Sequence, residues 1–125
     1  MADDTPEVVR LAAGADQLIR QINHATIAGD GGITWPSDLE RAVRSLAAMA
    51  HKLPQALRQF ARIAETTSTR GGLYDDRLPE TPGAGAGCAQ WAAAELIDAI
   101  SLAGHLAGAL DQAAEQLSHL GVRDG

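Results

Sequence analysis

Apolar positions recur in a 4-3 rhythm through most of the chain. The longest run passes through Leu39, Val43, Leu46, Ala50, Leu53, Leu57, Phe60 and Ala64. That spacing sets all of these side chains along one stripe of an α-helix. The rhythm passes Pro54 without changing phase, whereas a break there, with Leu53 forced extended, would normally reset it. The pattern predicts one helix over about 37–66, capped by Ser37 or Asp38 and kinked at Pro54. Proline removes one hydrogen bond there, at a cost of about 3 kcal/mol in an unrelieved interior.

The flanking segments carry the same rhythm. Val8, Leu11, Ala15, Leu18, Ile22 and Ala25 predict a helix over about 6–28. Thr5 would cap it, with Pro6 in its first turn, and Gly29-Asp30-Gly31-Gly32 would end it. The last segment, about 88–120, carries two adjacent stripes. Leu96, Ile100, Ala103, Ala107, Leu110, Ala114 and Leu117 form one; Ala99, Leu102, Leu106, Ala109, Ala113 and Leu120 form the other. A helix with two apolar stripes expects neighbours on two sides. Between the second and third helices, residues 71–87 read as a long loop with Pro79, Pro82 and a Gly83-Ala84-Gly85-Ala86-Gly87 tract. The tract reads as a flexible lead-in, and a connection this long is expected to be mobile or a binding element. The expected fold is all-α, one domain over 1–125: an antiparallel up-down bundle of three long helices, with the long loop before the last.

Composition changes this picture in one respect. Alanine supplies 25 of the 125 residues, and only Trp35, Phe60, Tyr74 and Trp91 are aromatic. Fully burying a Leu or Ile contributes roughly 1.5–3 kcal/mol and an Ala much less, so a lone monomer is expected to be marginal and self-association a natural remedy. The net charge of −6 argues against a dedicated binder of nucleic acid or anionic membrane. The charge is uneven: residues 35–70 carry six bases against three acids, and residues 71–125 eight acids against two bases. A single cysteine, Cys88, excludes an internal disulfide framework. The acidic start lacks the pattern of a signal peptide. Gln90, Glu95, Asp98 and His105 interrupt the most apolar run, which argues against a membrane span. The cytoplasm is the expected location.

Candidate chemistry is sparse. His24, His51, His105 and His119 have no His or Cys at metal-ligand spacing, and no triad assembles around them. Cys88 has no second cysteine or adjacent base to support nucleophilic work. The Gly/Ala tract lacks the Lys-Ser/Thr ending of a phosphate loop and no predicted strand precedes it. No catalytic residue, metal or cofactor is expected. Gly104 and Gly108, four apart, suggest close crossing by another helix. Together with Leu102, Leu106, Ala109 and Ala113 they make up the expected interface. Arg41, Arg44, Arg58 and Arg62 share one broad face of the second helix and form the alternative candidate, a phosphate-contacting stripe.

The segment Leu53-Pro54-Gln55-Ala56-Leu57-Arg58-Gln59, the acidic, glycine-containing loop after it and the Ala-rich closing helix resemble small helical proteins of high-GC actinobacteria, some of them in mobile or conjugative elements. The resemblance covers about residues 36–120, implies a helical fold and such a source, and carries over no site residue. Trp35-Pro36-Ser37 departs from the Trp-x-Gly motif of secreted helical-hairpin proteins. The sequence thus leads to a non-enzymatic protein–protein interaction or oligomerisation module. Its expected partner is a second copy, a dimer being favoured, or another helical protein. The alternative is a nucleic-acid-associated accessory or regulatory protein that uses the basic face.

Overall fold

The computed structural model describes residues 4–123 and contains three helices, α1 Glu7–Thr26, α2 Pro36–Ser68 and α3 Ala84–Ser118. The described residues form no strand. They fall into two compact units, one ending at Trp35 and the other starting at Pro36.

In the first unit Pro6, not Thr5, occupies the N-cap of α1, and its carbonyl accepts from the Val9 amide at 3.1 Å. Proline suits this place because it has no amide proton to leave unpaired. The Thr26 hydroxyl closes the helix by donating to the Ile22 carbonyl at 2.9 Å. In the turn that follows, Gly31 and Gly32 take positive φ, and the Asp30 carboxylate accepts the Gly32 amide at 2.9 Å. No residue of α1 is buried.

The second unit is built on two long helices packed along each other. At 1.5 Å per residue each is about 50 Å long. α2 begins one residue earlier than the pattern predicts: Pro36 is its first residue, and Asp38 lies in the first turn, where its charge complements the helix dipole. The helix is continuous through Pro54. The seam between α2 and α3 consists of alanine. Ala47, Ala50 and Ala61 from α2 and Ala93, Ala103, Ala107 and Ala114 from α3 make up its buried apolar residues, with Ala50 and Ala114 fully covered. The larger side chains of the same stripes, Val43, Leu46, Leu53, Leu57 and Phe60 on α2 and Leu96, Ile100, Leu110 and Leu117 on α3, are half-buried beside it. Leu39, at the start of the α2 stripe, is exposed.

The hydroxyl-rich end of α2 does not fray at Thr66 as its composition predicts. Thr66 and Thr67 donate back to the carbonyls of Arg62 and Ile63, at 3.1 and 2.8 Å, and the helix continues to Ser68. The connection that follows is shorter than the 71–87 loop read from the sequence, because α3 starts at Ala84 and not at Cys88. The Gly/Ala tract is therefore the first turn of α3, not a flexible lead-in. Gly83 caps it in the left-handed conformation, with φ 79°, and its carbonyl accepts the Gly87 amide at 3.0 Å. Gly85 is buried against the backbone of the loop: a Cβ there would stand 2.6 Å from the Tyr74 nitrogen and 2.7 Å from the Leu73 carbonyl carbon. Position 85 is glycine because the loop backbone lies directly on it.

Two substitutions test this account. Gly85→Ala should destabilise the protein by about 1–3 kcal/mol because backbone must move. Gly87→Ala, which meets open space, should stabilise it by up to about 1 kcal/mol. Denaturant unfolding that ranks the two alike would contradict the close approach. Pro54→Ala restores an amide able to reach the Ala50 carbonyl, so helicity should be retained and stability should rise by about 1–3 kcal/mol. A fall in the urea midpoint would show that the proline serves the native packing.

Candidate interaction surface

The helical period divides each helix of the second unit about its alanine seam. On α2, Arg44, His51, Arg58 and Arg62 lie roughly a quarter turn to one side, and Leu46, Met49, Leu53 and Phe60 roughly a quarter turn to the other. On α3, Ile97, Gly104, Asp111 and Glu115 lie to one side, and Leu106, Ala113, Glu95 and Leu102 to the other, with Ala109 and Trp91 further round, facing away from the seam. Two observations show how these flanks meet. The His51 Nε2 lies 2.6 Å from the Asp111 carboxylate. Arg58, Ala61, Arg62 and Glu65 share one shallow hollow with Ile97. The polar flanks of both helices are therefore on the same side of the pair, and the apolar flanks share the opposite side.

That apolar side is open. Leu102 is 67% exposed, with Leu106 and Met49 also exposed and Leu46, Leu53 and Phe60 half-buried at its inner edge. Of the interface residues expected from the sequence, Leu102, Leu106 and Ala113 lie on this side, and Ala109 lies further round, away from the seam. Gly104 and Gly108 fall on the polar flank, with no atom within 4 Å of where a Cβ would stand at either. The close helix crossing expected at these glycines is absent within the described chain, because the neighbouring helix approaches along the alanine seam instead.

The basic face is less continuous than its sequence suggests. Glu40 accepts from Arg44 at 2.8 Å, and the Asp38 carboxylate is 3.9 Å from Arg41. Arg41 also points away from the seam rather than along the flank that holds Arg44, Arg58 and Arg62. Surface pairs of this kind contribute little stability, but they place acid charge within the stripe that a nucleic acid would have to contact. Of the remaining histidines, His119 lies 3.1 Å from Glu115 in an exposed pair. Among the described residues no three His, Cys, Asp or Glu side chains gather as a metal site.

The sequence reading missed the one charged side chain that is buried among the described residues. Asp75, only 7% exposed, holds the loop before α3. Its carboxylate accepts from the Arg77 amide at 2.9 Å and from the guanidinium Nε and Nη2 at 3.0 and 2.8 Å. The guanidinium hydrogen bonds first, and the Arg77 amide second, hold the Asp75 carboxyl below its ordinary range. In turn the Arg77 proton is held more tightly than usual. The available signal was Asp-x-Arg placed after Gly71-Gly72, a spacing that lets an acidic side chain bond its own chain two residues on. The Cys88 Sγ, 4.0 Å from the Arg77 Nη2, is exposed.

Comparison with protein-family models, curated proteins and solved structures returns no match. The reading of function therefore rests on the surface just described.

Asp75 gives a pH-dependent test. Its folded pKa is lowered, so its contribution to stability is present above the unfolded value of about 3.9 and is lost as pH falls through the folded one. Asp75→Asn should lower the thermal midpoint at pH 7 and flatten the decline below about pH 4 relative to the parent. Equal acid slopes in the two proteins would remove Asp75 as the clasp of this loop.

Proposed function

We propose that the chain is a non-enzymatic protein–protein interaction or oligomerisation module that works through the apolar side of the α2–α3 pair. The observation that carries this reading is the shared orientation of the two apolar flanks, which sets Leu46, Met49 and Phe60 of α2 and Leu102 and Leu106 of α3 on the same side of the pair. Exposed apolar surface that is contiguous and bordered by polar residues is characteristic of binding sites. The partner is helical, either another protein or a second copy, because a long ridged face of this kind accepts helices best. The finer reading of the fold is an antiparallel up-down arrangement with a bend at Pro54. The antiparallel run of α2 and α3 is supported by two pairings: His51 meets Asp111, while Ala61, farther along α2, sits beside Ile97, earlier in α3.

α3 has the length and composition of a membrane span. Its four acids, Glu95, Asp98, Asp111 and Glu115, and its full-length contact with α2 favour a water-exposed helix, and the cytoplasm as its location. The alternative, a nucleic-acid-associated role for Arg41, Arg44, Arg58 and Arg62, draws support from the excess of base on α2. The acids interleaved with that stripe and the net charge of −6 weigh against it.

The test is Leu106→Glu in the full chain. Because Leu106 is exposed, the variant should keep the helicity and stability of an isolated chain to within about 0.5 kcal/mol while losing partner association in a pull-down from the native host. Association unchanged by Leu106→Glu, or sub-micromolar retardation of DNA or RNA abolished by Arg41→Glu with Arg58→Glu, would replace this function with another.

A further inference from the structure

We draw no further inference here: the strongest candidate, the open apolar side of the α2–α3 pair around Met49, Leu102 and Leu106, is the surface of the proposed function, and nothing in the structure shows what covers it.

Discussion

The seam between α2 and α3 can bury nothing larger than alanine, and most of the second unit is a consequence of that limit. Two helices share only a narrow line of contact. Where Ala50, Ala61, Ala107 and Ala114 occupy that line, the backbones approach closely and contact continues over the length of both helices. Each buried alanine contributes little on its own. Larger residues of the same stripes are pushed to the margins of the seam, where a single neighbour covers half of each. The chain thus gains close packing along one line and is left with substantial apolar surface beside it. The open apolar side and the all-alanine core have the same cause.

Such a seam also requires its two helices to be held in register, since smooth surfaces slide more readily than interlocked ones. The fixed points lie at the polar margin and at the connection. His51 and Asp111 meet across the polar side. At the connection Asp75 folds the loop onto Arg77, and Gly85 lets the Leu73–Tyr74 backbone rest directly on the first turn of α3. A buried carboxylate is tolerated there because the guanidinium and an amide satisfy it fully. These contacts do not enlarge the core. They set the position from which the alanines meet.

The three helices were legible in the sequence because the 4-3 spacing is a property of the backbone period and survives Pro54. The stripe that faces the partner helix was legible for the same reason: Ala103, Ala107 and Ala114 are buried, and Leu102 and Leu106, one stripe over, are exposed. The start of α3 was not. Glycine and alanine in alternation look like a linker by composition, and only the loop backbone lying on Gly85 explains why that turn is helical. The Asp75–Arg77 clasp was missed because its meaning comes from burial, which a spacing does not carry. The glycine pair is placed differently from the alanines. Gly104 and Gly108 are correctly spaced for a close crossing, but spacing along a helix says nothing about which flank another helix occupies.

Sidedness is what supports the proposed interaction surface. Neither apolar flank would be informative on its own, since singly exposed leucines are ordinary on protein surfaces. The contacts on the opposite side, His51 with Asp111 and the Arg58–Arg62 turn with Ile97, show that the two helices are rotated so that their polar margins coincide. That rotation sets the apolar margins on the same side of the pair as well. The same rotation explains why the arginines read as a candidate stripe. They are the polar border of an amphipathic layer, in which Glu40 pairs with Arg44 and Asp111 with His51. The side that the proposed function uses is the opposite one, where Leu102 and Leu106 stay exposed.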